Sequence, residues 1–423
     1  MRIGLLTDGG HPYATGESRL WCDRLVRGLA QHEFDICALS RSAWREERGW
    51  TEPPRRIQRV RTAPLRAPAD DGRGHGRRDR RRFAEHFGRL VAAVCSDGPE
   101  GGPGSGPRDG SGDGSRDGSA ERADGFAAGL HGLADLAGER GGLHRGLRSE
   151  AAVRLVESAC RAPGARRSVR FATVPDLLAF ADRLERALRP LSLDWYDDAT
   201  PGAVDLCHAA SGGSAALPGL LAKRFFGVPL VVTEYGVQLR AHYLATGAAA
   251  SAAGGAGGGA GGAPAGAAPL GTPVRALPAA FRRRPAAEIY RQADVITPGN
   301  AHAGRWQEWC GADRAKLRTV HPGMEAERFS GAVPAGSRGG FSAGAAAGAG
   351  DGGPGTLVWV GRIEPAKDLV PLLHAFAAVR AAEPGARRDT VKHSNTMKET
   401  PDMTPPSPAP AFAKARRHGR APR

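Results

Sequence analysis

Cysteine is scarce and scattered. The six residues Cys22, Cys37, Cys95, Cys160, Cys207 and Cys310 form no C-x-x-C pair. Neither a zinc site nor a disulfide framework is signalled, and reduced thiols are the expectation. The histidines show no metal-ligand spacing either, so no metal and no cofactor are expected. Long apolar runs are also lacking. The stretch within Met1–Asp8 is too short for a secretory signal, and the run near Phe225–Val232 has the length of a strand. Residues 247–271 are long enough to span a bilayer but are weakly hydrophobic and interrupted by Gly and Pro. The expectation is a cytoplasmic protein without a membrane span.

Glycine and proline, by contrast, are plentiful. The 423 residues include Gly 60 and Pro 32, and much of the 41% hydrophobic share is alanine. The length calls for two domains, but less of the chain can build a core than that length suggests. The net charge of +15 is concentrated in two blocks, Arg73, Arg77, Arg78, Arg80, Arg81 and Arg82, and the tail Lys414–Arg423. Blocks of this kind are solvated more often than they form a groove. Nucleic acid is therefore not the expected partner.

Four segments read as unstructured insertions, linker or tail: about 66–122, 246–273, 331–355 and 389–423. Structured islands lie between them. The first opens with a strand at 2–7, a Gly/Pro/Asp loop, a helix with Trp21, Cys22, Leu25, Val26 and Leu29 on one face, and a strand at 34–39. The second is helical over 149–193, followed by a strand at 203–209, a helix at 215–226 and a strand at 228–233. The third supplies a helix at 286–293, strands at 295–297 and 317–321, and a helix near 304–310 between them. This alternation predicts a mostly parallel α/β sheet over residues 1–330. A strand at 356–360 and a helix bearing Leu369, Leu372, Leu373, Phe376 and Val379 begin a second unit, 356–388. One strand and one helix cannot form a domain alone.

In a doubly wound sheet ligands bind beyond the carboxyl ends of the strands. Three such places carry candidate residues. The loop with Gly9, Gly10 and Gly16 lets backbone approach a ligand, or is an ordinary glycine-rich turn. It is not G-x-G-x-x-G, and Ser40 rather than an acid follows the second strand, which argues against a dinucleotide oxidoreductase. The stretch Thr233–Arg240 places Glu234, Tyr235 and Arg240 just past an apolar strand, where Glu234 and Arg240 are candidates for acid/base work or acceptor contacts; a solvated loop is the alternative. Third, Gly361 and Arg362 leave the strand end and Lys367 follows in the first helical turn. Two cations at a helix start oppose the helix dipole unless an anion docks there, and a diphosphate would satisfy both. Asp194, Asp197 and Asp198 read as surface acids rather than a metal site, His208 as a buried histidine or a substrate contact, and Ser211–Ser214 departs from the G-x-S-x-G nucleophile elbow.

These segments together resemble the two-domain retaining glycosyltransferases of family 4, and more closely the branch typified by the transferase of Pel exopolysaccharide synthesis. The resemblance is carried by Gly9–Leu29 with Pro12-Tyr13 and Trp21-Cys22-Asp23-Arg24-Leu25, by Thr233-Glu234-Tyr235-Gly236, and by Ala293–Pro298. It continues through His321-Pro322-Gly323-Met324 to Gly361-Arg362 with Lys367-Asp368. Tyr235 stands where that family commonly has histidine, and Pro322-Gly323 where it usually reads Pro-Asn-Gly. The resemblance implies a GT-B fold of two Rossmann-like domains, a nucleotide-sugar donor, an unidentified glycan or small-molecule acceptor, retention of anomeric configuration and no required metal. It implies donor-diphosphate binding by Gly361, Arg362 and Lys367. It also implies further β-α units and a glutamate pair that do not follow Arg388, so the second domain is expected to be incomplete and activity impaired. The alternatives are a non-catalytic remnant that binds only an acceptor or partner and, less favoured, a basic nucleic-acid binder.

Overall fold

The computed structural model describes residues 1–8, 17–40, 55–65, 71–96, 114–196, 201–236, 272–323 and 369–382. The chain divides into two units, Met1–Gly339 and Gly340–Arg423.

The first unit is built on a six-stranded parallel sheet. Its strands are β1 (Arg2–Asp8), β2 (Glu33–Ser40), β3 (Ile57–Pro64), β4 (Leu206–Ala209), β5 (Leu230–Glu234) and β6 (Val295–Pro298), in the order β3-β2-β1-β4-β5-β6. This is the doubly wound, Rossmann-like arrangement that the alternating pattern implies. Strands covered on both faces lose their polar alternation, and β1 and β2 are almost continuously buried. Ile3, Leu5, Phe34 and Ile36 pack with Cys22 and Val26 of α1 (Glu17–Gly28). Leu6, Cys37, Leu39, Cys207 and Ala209 join a larger core shared with the remaining helices.

Those helices are α2 (Arg77–Cys95), α3 (Gly114–Arg140), α4 (Leu143–Leu147), α5 (Glu150–Arg161), α6 (Val174–Leu188), α7 (Leu217–Phe226), α8 (Thr272–Gln292) and α9 (Ala301–Trp309). Helix α6 starts where Asp176 reaches back to accept from the Thr173 backbone N–H at 2.8 Å, with Pro175 in its first turn. Asp294 ties the sheet to α7, accepting from the Leu230 N–H at 2.8 Å and from Lys223 at 2.6 Å.

Several local expectations need correction. Much of 66–122, expected to be unstructured, is helical. Helix α2 buries Phe83, Phe87, Leu90, Val91 and Val94, a helical stripe hidden by the surrounding Gly, Asp and Arg, and α3 begins at Gly114. Helix α8 extends far ahead of residue 286 despite Pro278 and Pro285 inside it. An interior proline costs ~3 kcal/mol, offset here by burying Leu277, Phe281, Ile289 and Tyr290. Strand β3 was not foreseen, because Gln58, Arg59 and Arg61 break its apolar pattern. Residues 317–321 are not a strand; they run beside β6 with one bridge, Ile296↔Leu317, and bonds from the Arg318 and Val320 N–H groups to Ile296 O and Pro298 O, both 2.9 Å. Pro298 has no N–H with which to continue the ladder.

In the second unit the described element is α10 (Leu369–Ala382), with Leu372 and Phe376 half-buried and Leu373 exposed. The expected strand at 356–360 lies outside the described residues.

Candidate functional site

Because the sheet is parallel, β1, β4, β5 and β6 end on one edge, at Asp8, Ala209, Glu234 and Pro298. The strand order reverses direction between β1 and β4, and that edge is where open α/β sheets place ligands.

His208 is the penultimate residue of β4. The register sets His208 opposite Val231 and Thr233 opposite Thr297, which lines up a polar chain across three strands. His208 Nε2 lies 2.7 Å from Thr233 Oγ1, Thr233 Oγ1 lies 2.6 Å from Thr297 Oγ1, and the Thr297 hydroxyl donates to Val232 O at 3.4 Å. A carbonyl only accepts, so the chain has one consistent direction: Nε2–H donates to Thr233, Thr233 to Thr297, and Thr297 to the carbonyl. The tautomer assigned from this network leaves His208 Nδ1 as the accepting nitrogen. Burial pulls the His208 pKa down to about 4, so the ring is neutral at neutral pH.

Trp21 flanks the histidine and leads on to Tyr235. Trp21, at the start of α1, meets the His208 ring edge-on with centroids 5.5 Å apart. Its indole N–H donates to the Tyr235 hydroxyl at 2.9 Å. The Tyr235 ring lies over Gly299, where an added Cβ would come within 2.5 Å of Tyr235 Cδ1. Only a residue without a side chain admits the ring there. His321 holds that turn by donating from Nδ1 to Gly299 O at 3.0 Å.

Glu234, the last residue of β5, is only 3% exposed. Its carboxylate accepts from the Tyr290 hydroxyl on α8, and its backbone carbonyl accepts from Gln307 Nε2 on α9 at 3.3 Å. Gly212 closes over the pair: a Cβ there would lie 2.7 Å from Glu234 Oε2 and 2.8 Å from the Tyr290 hydroxyl oxygen. Burial and the Glu234 charge push the Tyr290 pKa well above its ordinary value, so the phenol stays a donor. Glu234 therefore braces the strand end against two helices, through its carboxylate on α8 and its backbone carbonyl on α9.

Of the residues singled out from sequence, Glu234 is thus placed, whereas Arg240, Gly9, Gly10, Gly16, Gly361, Arg362 and Lys367 lie outside the described residues. The structure adds Trp21, Gly212, Thr233, Tyr290, Thr297, Gly299 and Gln307, and it gives His208 a bonded and oriented ring. A threonine near the end of each of two neighbouring strands was the available signal for the polar chain. Among the described residues no group of three or more His, Cys, Asp or Glu could hold a metal, and no helix is long and apolar enough to cross a membrane.

The family model described as "Domain of unknown function (DUF3492)" matches residues 1–108 and 133–315. The chain belongs to this family. The domain is found in glycosyltransferase-like proteins, and the parallel α/β sheet fits a GT-B-like fold. No curated protein matches the chain.

Proposed function

Starting from membership of that family, we propose that the chain is a glycosyltransferase that moves a sugar from a nucleotide-sugar donor to a glycan or small-molecule acceptor, of the family 4 retaining type. The reading is carried by the cluster of His208, Thr233, Thr297, Trp21 and Tyr235 at the carboxyl edge of a Rossmann-like sheet. Aromatic side chains with polar tips suit a ring that has apolar C–H faces and a hydroxyl rim. His208 Nδ1 accepts a hydrogen bond from an acceptor hydroxyl while its other nitrogen is held by Thr233. Glu234 acts as a positioning residue, fixing the strand end from which Tyr235 and Arg240 follow. Arg362 and Lys367, with the Gly361 turn, neutralise the charge that builds on the departing diphosphate.

The test is equilibrium binding and hydrolysis of labelled UDP-, GDP- and ADP-sugars by the full chain. Saturable binding of at least one donor, weakened roughly tenfold or more in Arg362→Ala/Lys367→Ala, supports the reading. Failure to bind any donor, or binding indifferent to that double substitution, refutes it. Exopolysaccharide synthesis is the process we propose for the transfer, on the strength of the Pel-branch resemblance.

A further inference from the structure

The helices also collect positive charge around a hollow. A cavity of about 190 Å³ lies between α3, the turn after α5, α8 and the end of α9. Its walls carry Arg122, Arg166, Arg283, Arg284 and Arg291. One carboxylate, Glu288, shares the lining, and it is already engaged by His131 at 3.0 Å, by Arg291 at 2.7 Å and by Gln292 at 3.1 Å.

Three of the guanidinia are held in place. Arg166 is 8% exposed and its Nε donates to Ser96 O at 2.9 Å. Arg283 stacks over Trp309, 4.5 Å from the ring centroid. Arg291 is fixed by its Glu288 contact. Arg122 and Arg284 are half-buried and form no hydrogen bond or ion pair among the described residues. Burial, and then the charges of Arg166, Arg283 and Arg122, pull the Arg284 pKa down to about 10. Gathering like charges at a half-buried site costs folding energy, and a site can tolerate such a cost when a ligand offsets it.

We propose that this hollow is a binding site for a small, multiply charged phosphoanion of the pyrophosphate class. Guanidinium forks match phosphoryl oxygens bidentately. Arg122 and Arg284 bring guanidinium donors that form no hydrogen bond or ion pair among the described residues, and the terminal oxygens of a pyrophosphate can take them from several sides. The pre-held orientations of Arg166, Arg283 and Arg291 spare the ligand part of the ordering cost. The proposal does not depend on the glycosyl-transfer reading.

The experiment is titration calorimetry of inorganic pyrophosphate, and separately of orthophosphate and a sugar phosphate, into the full chain carrying Arg362→Ala and Lys367→Ala, so that heat cannot come from the donor grip. Saturable one-to-one binding is expected, weakened roughly tenfold or more by Arg284→Gln with Arg122→Gln. It should be unchanged by Arg77→Ala/Arg78→Ala/Arg80→Ala on the exposed start of α2. The three titrants then distinguish a diphosphate from a simple phosphate or phosphorylated-sugar ligand. Since Arg284→Gln removes repulsion, that variant should unfold no more easily than its parent without ligand, and pyrophosphate should raise the parent's unfolding midpoint by more than the variant's. No saturable heat with any of the three, binding indifferent to the Arg284/Arg122 change, or equal loss from the α2 control substitutions overturns the proposal.

Discussion

Replacing Gly212 by alanine tests the packing of the candidate site at its tightest point. The new methyl would lie 2.7 Å from Glu234 Oε2, 2.8 Å from the Tyr290 hydroxyl and 2.9 Å from Tyr290 Cε1. All three contacts are closer than van der Waals packing allows. Neither neighbour has room to retreat, since Tyr290 is 1% and Glu234 3% exposed. Overpacking of this kind costs about 1–3 kcal/mol. Stiffening the unfolded chain returns about 0.4–1 kcal/mol, so the expected net loss is about 1–2 kcal/mol. Urea unfolding of the full chain, followed by far-UV circular dichroism, reads this as a lower midpoint at unchanged slope. The same substitution made in a Tyr290→Phe background should cost less, because the closest ring contact has lost its oxygen; neighbouring sites couple by about 0.5 kcal/mol or more. A Gly212→Ala protein as stable as the parent would refute the reasoning, and so would penalties that simply add.

Three further outcomes follow from the same geometry. His208 titrates near 4 in the folded chain against an ordinary 6.5. The unfolded state therefore binds its proton first as pH falls, and stability drops between those values. At about 1.4 kcal/mol per unit, the parent should lose at most about 2 kcal/mol more than His208→Gln between pH 7 and about pH 5; parallel pH profiles in chemical denaturation would contradict the buried neutral ring. Tyr290→Phe removes a donor from the buried Glu234 carboxylate, for an expected loss of about 1–3 kcal/mol in the same assay. All six cysteines are buried, and burial lifts Cys22, Cys37 and Cys310 to about 12. A disulfide-exchange reagent at mildly alkaline pH should react slowly with the native protein and reach all six thiols only on unfolding; rapid native labelling of several would contradict the packing.

The sheet was legible because strands buried on both faces read as short apolar runs, as Ile3–Leu6 and Phe34–Leu39 do. Helix α2 was not, because an Arg- and Gly-rich surrounding outweighs five apolar residues when composition is averaged over a window. Its basic opening carries a further lesson. Arg77, Arg78 and Arg80 sit in its first turns, where Asp79 lies among them; Arg82 pairs with Glu139 at 2.8 Å, and Asp79 lies 3.9 Å from Arg140 of α3. Cations at a helix start can thus be balanced by a neighbouring helix. Glu234 was readable from its place at the end of an apolar strand. Its partners were not, because Tyr290 and Gln307 stand 56 and 73 residues away in sequence, and only the crossover of α8 and α9 beside β5 brings them in.

The two flanks of the described sheet bear on how the chain behaves in a crowded solution. On one side β3 presents Arg59 and Arg61; on the other, residues 317–320 occupy the Ile296 and Pro298 carbonyls, and Pro298 itself has no N–H to offer. A foreign strand seeking to extend the ladder meets cationic side chains on one flank and spent hydrogen-bonding groups on the other. Edge-to-edge pairing of folded chains is thereby disfavoured.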